Sequence, residues 1–418
     1  MNDSLAKLSK DLGSGKEFEM FLEKIRETPA EQFAVLKISG ETLESHFESI
    51  AERIAALNSL KIYPIVIHGA GATLDKKLPL SKKINGLRVT GEADIPIIKD
   101  VFGQLNKSLV ERINAKGGSA VCLEGLLECD ILEGYGLVGE VKKVDSEKII
   151  SAIKSGKTPV ISPIGEWKGV LLNINADSAA KEIAKAIKPK KFIMLTETGG
   201  VLDENGKIIP FINASLDEGL EGISGGMLLK IKELSDFLKS MPDCSVVITS
   251  AENLLKEIFT IEGSGTFIKL YSINSAENLG EADVGKLTGL LEESFGKKLV
   301  KGYFDNGIKE IFFEKEYCGA AVIKEIDGIA YMDKFAVHPT CQGTGLGKSL
   351  WAELSKKYPK IVWRSSNSNP INGFYFKKCH GLLKKNDWIV YWKNLENSEV
   401  FSLSEKAALL EKTMVEAV

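Results

Sequence analysis

Residues 331–350 read "YMDKFAVHPTCQGTGLGKSL", with Gly343, Gly345 and Gly347 at alternate positions ahead of Lys348. Glycines spaced this way at the entry to a helix leave successive backbone N–H groups free to face phosphate oxygens, and the helix N-terminus adds its partial positive charge. The stretch is not a Walker A loop, because Gln342 stands where the first glycine belongs, and not a dinucleotide fingerprint, because the third glycine falls one residue early. A second set lies upstream. Lys37 ends the apolar run "FAVLKIS" and is followed by Ser39 and Gly40, while Gly69 and Gly71 close the next run in "VIHGAGATLD". Phosphoryl transfer needs positive charge on the migrating group and N–H donors at the phosphate oxygens. A lysine ending an apolar strand is also a common snorkelling surface residue, so the set carries the reading and Lys37 alone does not.

These residues need elements to hold them. From Phe33 to about Leu270, short apolar runs ("FAVLKIS", "YPIVIHG", "SAVCLEG", "TPVISPIG", "KFIMLTE", "CSVVITS") alternate with helix-length amphipathic stretches. That rhythm predicts an α/β domain with a mostly parallel central sheet flanked by helices, and such sheets bind ligands at the carboxyl ends of their strands. Near "YSINSAENLGEAD" the rhythm changes to an antiparallel meander, with Asp327-Gly328 as a two-residue hairpin turn, then the glycine loop and a helix from about Gly345. We expect an N-terminal helical segment over 1–27 (Phe18, Phe21, Leu22 and Ile25 at helical spacing), a first domain over 28–272, a second, mixed-sheet domain over 273–395 and a C-terminal helical tail over 396–418.

At 418 residues the chain is long enough for two or three cores, and a formal net charge of −3 leaves no electrostatic footprint for nucleic acid or an anionic membrane. The six cysteines form no C-x-x-C pair and read as free thiols. No continuous apolar segment opens the chain or approaches membrane-spanning length, so a cytoplasmic protein acting on small molecules is expected.

The ordered series "VLKISG", "IHGAGATLD", "KINGLRVTGEAD", "NINADSAAKEIA", "LTETGGVLD", "ISGGMLLKI" and "LLKEIFTIEGSGTFI" resembles the N-acetylglutamate kinases of the amino acid kinase family across about residues 30–270. The resemblance implies ATP-dependent phosphorylation, with Mg2+ accompanying the nucleotide and no protein metal ligands, of the side-chain carboxylate of an N-acylglutamate. Carried over by motif, Lys37 and Lys230 stabilise the transferring phosphoryl group and Asp177 positions both. Gly40, Gly69, Gly71 and Thr196 line the ATP phosphates. Gly71, Arg88 and Asn173 bind N-acetylglutamate, the guanidinium pairing with a carboxylate. Two departures are mild: Ala70 replaces a glycine of the usual Gly-Gly-Gly corner, and Glu197 stands where aspartate is common. His68 and Asn175 read equally well as packing or turn residues. The segment around Glu257 and Gly265 resembles the family's arginine site, which implies feedback by arginine, and the family suggests a homo-oligomer, a tetramer or larger.

The loop Gln342-Gly343-Thr344-Gly345-Leu346-Gly347 looks like the coenzyme A loop of GNAT acetyltransferases. "YMDKFAV", "WRSSNSNPINGFYF" and "DWIVYW" resemble the acetyltransferase domain of N-acetylglutamate synthases, over about 275–395. The resemblance implies that Phe335, Val337, Gln342, Gly343, Gly345, Gly347 and Lys348 bind acetyl-CoA and that Lys334, Arg364, Asn369 and Tyr375 bind glutamate; direct transfer also needs a proton for the departing thiolate, and Tyr375 is the candidate acid. One departure is serious: the family motif Trp-Arg-Ser-Arg reads Trp363-Arg364-Ser365-Ser366 here. Two enzyme readings follow, a bifunctional synthase and kinase of arginine synthesis, or a kinase whose second domain is structural, regulatory or specific for another acyl group or acceptor. The non-enzyme alternative is an arginine-sensing scaffold.

Overall fold

The computed structural model of the protein describes residues 26, 28–214, 223, 225–259, 264–277, 279–305, 307–342 and 344–416. The expected helix over 1–27 and the loop glycine Gly343 lie outside the described residues, Arg26 apart. The chain divides between Leu270 and Tyr271 into two compact units.

The first unit is built on an eight-stranded sheet in the order Phe211–Asn213, Thr266–Lys269, Ser245–Thr249, Lys191–Leu195, Ala34–Ile38, Ile65–His68, Thr158–Ile161 and Ala120–Leu123. Every pair is parallel except Ser245–Thr249 with Thr266–Lys269. Four short strands between Leu127 and Ile174 close a small barrel beside it. Side-chain alternation splits the strand Ala34–Ile38 between two cores. Ala34, Leu36 and Ile38 pack under the helix Phe47–Ser59, with Ile50, Ile54 and Leu57. Val35 faces the other way, onto the helix Ala176–Ile187 through Ala179, Ala180 and Ile183. Lys37 shares the parity of Val35, so the strand aims it toward the start of that helix.

The second unit carries a seven-stranded sheet in the order Ile273–Ala276, Glu310–Glu314, Gly319–Ile326, Ile329–Val337, Ile361–Ser366, Trp388–Lys393 and Gly381–Lys385. Asp327 (φ 51°) and Gly328 (φ 78°) make the tight hairpin between the third and fourth strands, both left-handed as a type I′ turn requires. Ile329–Val337 and Ile361–Ser366 pair in parallel only at Ala330, Tyr331 and Met332 and separate beyond. A β-bulge leaves Asp333 without a partner, since Met332 opposes Ile323 and Lys334 opposes Val322.

The segment 396–416, part of the stretch set apart in the sequence reading as a tail, is integral to the second unit. Its helix Asn397–Leu409 opens with a reciprocal capping box between Glu396 and Glu399 and buries Leu403 and Ala407 against Tyr331, Val362 and Val390. Met414–Glu416 then pairs antiparallel with Lys297–Leu299. An amphipathic helix with an apolar strip packs wherever the sheet offers a face, and the sequence does not show which face is open.

Candidate active sites

In the first unit the carboxyl ends of Ala34–Ile38, Ile65–His68 and Lys191–Leu195 meet. Asn175 caps the helix Ala176–Ile187, its Oδ1 accepting from the N–H groups of Asp177 (2.9 Å) and Ser178 (3.0 Å), which fixes Asp177 in the first turn. The Asp177 carboxylate bridges two ammonium groups, Lys37 Nζ at 2.6 Å and Lys230 Nζ at 3.2 Å. Burial pushes the Asp177 carboxyl up, but Lys37 and Lys230 outweigh it and hold the group down at about 2. Burial lowers the Lys37 ammonium, and Asp177 offsets only part of that. The residues predicted from three separate motifs thus form one cluster with two positive charges and one negative.

The glycine corner closes around the same strand ends. A Cβ added to Gly40 would lie 2.5 Å from the Gly71 nitrogen and 2.9 Å from the Ala70 carbonyl carbon, whereas one on Gly71 would meet nothing within 4 Å. Gly40 is glycine because backbone passes over it; the space beside Gly71 is open. Ala70 has φ −138° and packs with Leu74, Ile98, Val101 and Phe102, so an L side chain is accommodated where the family pattern carries glycine. Thr196 follows the strand Lys191–Leu195 directly, its N–H on the Thr249 carbonyl at 2.9 Å. His68 is fully buried, its Nδ1 3.3 Å from the Gly69 carbonyl and its ring 5.9 Å from that of Phe102, and burial lowers its pKa to about 4.

Arg88 and Asn173 are linked through Thr90, whose hydroxyl donates to the Arg88 carbonyl at 3.1 Å and accepts from Asn173 Nδ2 at 3.1 Å. The buried Arg88 guanidinium is held by the Asp75 carboxylate and the Ser81 hydroxyl. Thr90, Asp75 and Ser81 escaped the sequence reading; the acid thirteen residues before Arg88 gave no spacing signal. Among the described residues no group of three or more His, Cys, Asp and Glu is placed to hold a metal ion.

Glu257 sits on the short helix Leu254–Phe259, buried. Its Oε1 accepts from the N–H groups of Ser264 (2.5 Å) and Gly265 (2.6 Å) and from the Thr249 hydroxyl at 3.3 Å. A Cβ on Gly265 would fall 2.1 Å from the Ile248 carbonyl oxygen. Both residues therefore have a structural task, tying the chain back after the segment 260–263, which lies outside the described residues.

In the second unit the bulge turns Asp333 and Lys334 toward Tyr303. Asp333 Oδ2 accepts from Lys334 Nζ at 2.7 Å and from the Tyr303 hydroxyl at 2.6 Å, and Lys334 Nζ stands 4.9 Å from the Tyr303 ring centre. Burial lowers the Lys334 ammonium, partly offset by Asp333. Phe335, on the opposite face, joins an aromatic cluster with Trp351, Trp363, Phe374 and Tyr375. Tyr375 is buried in that cluster, and burial, with Tyr391 and Tyr331 beside it, raises its hydroxyl pKa. Lys334 and Tyr375 thus stand on opposite faces of the sheet, next to the point where the parallel strands part.

Gly345 (φ 80°) is the N-cap of the helix Leu346–Lys357, and a Cβ on Gly347 would meet Val337 and Phe335 at ordinary contact distances. Lys348 is exposed near Lys377 and Lys378, and Gln342 Nε2 donates to the Val337 carbonyl at 3.3 Å. Asn369 shapes its own turn, its Oδ1 accepting from the Ile371 N–H at 3.2 Å. Arg364, read as a glutamate-binding residue, is engaged by its own chain. It stacks 4.2 Å from the Trp388 ring centre and donates through Nη1 to the carbonyls of Ala407 (3.0 Å), Ala408 (3.3 Å) and Leu410 (2.6 Å) and through Nη2 to Glu411 (2.8 Å). The end of a helix presents several carbonyls without intrahelical partners, and these have drawn the guanidinium in.

The fold and sites define a kinase domain followed by an acyltransferase domain, and comparison with known proteins agrees. Residues 32–250 match the amino acid kinase family, and residues 271–406 match the N-acetyltransferase domain of N-acetylglutamate synthase. An acetylglutamate kinase from Xanthomonas campestris pv. campestris is 38% identical over 93% of this chain and 96% of its own length. The mitochondrial N-acetylglutamate synthase of Homo sapiens is 30% identical over 87% of this chain and 69% of its own length. The fold matches that of N-acetylglutamate synthase from Neisseria gonorrhoeae, complexed with coenzyme A and N-acetyl-glutamate, at TM-score 0.60 and 20% identity, over 91% of this chain and 98% of that one. The chain belongs to the amino acid kinase family and carries, fused behind that domain, an N-acetyltransferase domain of the N-acetylglutamate synthase kind.

Proposed function

We propose that the protein is a bifunctional enzyme of arginine biosynthesis: it acetylates glutamate with acetyl-CoA and phosphorylates the side-chain carboxylate of N-acetylglutamate with ATP. The observation that carries the kinase half is the Lys37–Asp177–Lys230 bridge beside a glycine corner with open space at Gly71. ATP, with its magnesium, supplies the phosphoryl group. Lys37 and Lys230 balance the charge that gathers on it between donor and acceptor oxygens, Asp177 holds both ammonium groups at fixed separation, and Gly40, Gly69, Gly71 and Thr196 line the phosphates. Arg88 exchanges Asp75 for a substrate carboxylate, and Asn173 orients the acyl end.

In the second unit acetyl-CoA supplies the acetyl group. Gln342, Gly345, Gly347 and Lys348 hold its phosphates at the helix start, with Phe335 and Val337 beneath. The neutral amine of glutamate attacks the thioester carbonyl, the C–S bond breaks as the amide C–N bond forms, Tyr375, kept protonated by burial, delivers a proton to the departing sulfur, and the proton lost from the nitrogen restores the Tyr375 hydroxyl. Lys334, Arg364 and Asn369 bind the acceptor. Arginine acts as feedback inhibitor near Glu257 and Gly265, the enzyme assembles as a homotetramer, and its location is cytoplasmic, as suits its likeness to bacterial relatives over nearly the whole chain.

One observation favours a second reading, in which only the kinase works. Arg364 is engaged by backbone, and Ser366 offers no second guanidinium. Two assays on one preparation decide: acyl phosphate formation from N-acetylglutamate and ATP, and thiol release from acetyl-CoA with glutamate. Both at rates well above background support the bifunctional reading. Kinase turnover with thiol release at background supports the second. Light scattering of the same sample gives the subunit number.

A further inference from the structure

The two cations read as acceptor-binding groups are both held by one stretch of the same chain. Arg364 donates to the Leu410 and Glu411 carbonyls, besides those of Ala407 and Ala408 in the helix, which stay with it when the stretch moves, and Lys334 Nζ donates to the Thr413 hydroxyl. From the last residue of the helix Asn397–Leu409 onward the chain has little apolar anchorage: Leu409 is 70% exposed, Leu410 38% and Val415 50%, and the strand that follows spans three residues. Its attachments include hydrogen bonds to Arg364 and Lys334, a long one from the Thr413 hydroxyl to Asp333 at 3.5 Å, the Val300 N–H on the Thr413 carbonyl at 3.2 Å, the short ladder to Lys297–Leu299, and the ion pair of Glu416 with Lys297 at 2.5 Å. A segment secured by polar contacts and few buried apolar groups opens at low cost. Its oxygens on the two cations are neutral, so a carboxylate competes with them through the stronger, charge-assisted bond.

We propose that Leu410–Thr413 is an intrachain latch on the acyl-acceptor subsite, occupying Lys334 and Arg364 with its own oxygens, and that acceptor binding requires it to move off. The proposal rests on the reading of those two residues as acceptor-binding. The latch lowers apparent acceptor affinity by the fraction of molecules that are open, so loosening it lowers the acceptor KM without altering the reacting groups. Asp333, which remains on Lys334 when Thr413 leaves, keeps the ammonium placed throughout.

The test compares the full chain, Thr413→Ala and a chain ending after Leu409, using glutamate as acceptor, kinase turnover to normalise the amount of enzyme, exchange over the sheet strands of the second unit as the control for folding, and hydrogen–deuterium exchange with and without saturating glutamate and coenzyme A. A latch predicts faster exchange over 410–416 on adding glutamate, and a glutamate KM lowered about threefold or more in Thr413→Ala with kinase turnover unchanged. If the shortened chain fails to fold, Thr413→Ala and the exchange data decide. The latch is overturned if glutamate protects 366–376 while exchange over 410–416 stays the same or slows, or if KM is unchanged or higher in Thr413→Ala. If glutamate alters exchange nowhere in 271–416 and none of the proteins acetylates it, the acceptor-site reading itself falls, and the latch with it.

Discussion

Gly40 and Gly71, thirty-one positions apart, approach so closely that a methyl group on Gly40 would lie 2.5 Å from the Gly71 nitrogen, while one on Gly71 would enter open space. The two glycines are therefore needed for different reasons. Gly40→Ala forces the corner apart and should lower both the melting temperature and kinase turnover. Gly71→Ala should leave the melting temperature unchanged, and any loss of kinase turnover in it then reports a phosphate that must approach there. Equal melting temperatures for the two variants would refute this division.

Lys230→Ala removes one of two positive charges from Asp177. Kinase turnover should fall by about 10²–10³, the scale for losing a preorganised group on transition-state charge, with acetyl transfer within a few fold of wild type. Loss of both activities in a folded protein would contradict independent chemistry in the two domains.

His68 makes stability depend on pH. Its folded pKa, about 4, lies below the ordinary value of 6.5, so the unfolded chain takes up a proton that the folded chain refuses. The stabilisation is complete above pH 6.5 and is lost as pH falls from 6.5 toward 4. The shift corresponds to about 3 kcal/mol. His68→Leu should flatten the dependence of first-domain denaturation midpoints on pH over that window; an unchanged slope would show that other groups set it.

Ser366→Arg tests the missing guanidinium. A charge at 366, unlike that of Arg364, is not already committed to the carbonyls of 407–411. It should lower the glutamate KM by about tenfold, since a charge-assisted bond of roughly 1.5–3 kcal/mol exceeds the 1.4 kcal/mol of one decade. No gain in KM, with thiol release at background in both proteins, would move the balance to the kinase-only reading.

For arginine, Glu257→Gln is a better probe than alanine, because the amide oxygen keeps accepting from Ser264 and Gly265 while the charge is lost. Arginine inhibition should weaken with the melting temperature held within a few degrees. Full inhibition in the variant would take the carboxylate out of the regulatory role.

The strand rhythm was legible because it depends on short-range patterns: alternation decides which core a residue faces, and a strand end fixes where Lys37 points, whereas the grouping of Lys37 with Asp177 and Lys230, distant in sequence, came from the resemblance of their motifs to a family. The tail was not. Arg364 binds carbonyls of residues 407–411, and backbone carbonyls are the same whatever the side chains, so no residue type advertised that contact. Nor did spacing reveal that Arg88 is held by Asp75.

The bulge at Asp333 also has an evolutionary reading. Lys334 already opposes Val322, one ladder step from the Met332–Ile323 pair, so Asp333 is a residue beyond what the ladder needs. Gain or loss of a single codon there adds or deletes an acid beside Tyr303 and Lys334, while Phe335 and Val337 keep their aim beneath the glycine loop. On the proposed assignment of Lys334 to the acceptor and of Phe335 and Val337 to the acyl donor, a one-residue change at this bulge alters the acceptor side and leaves the donor side in place.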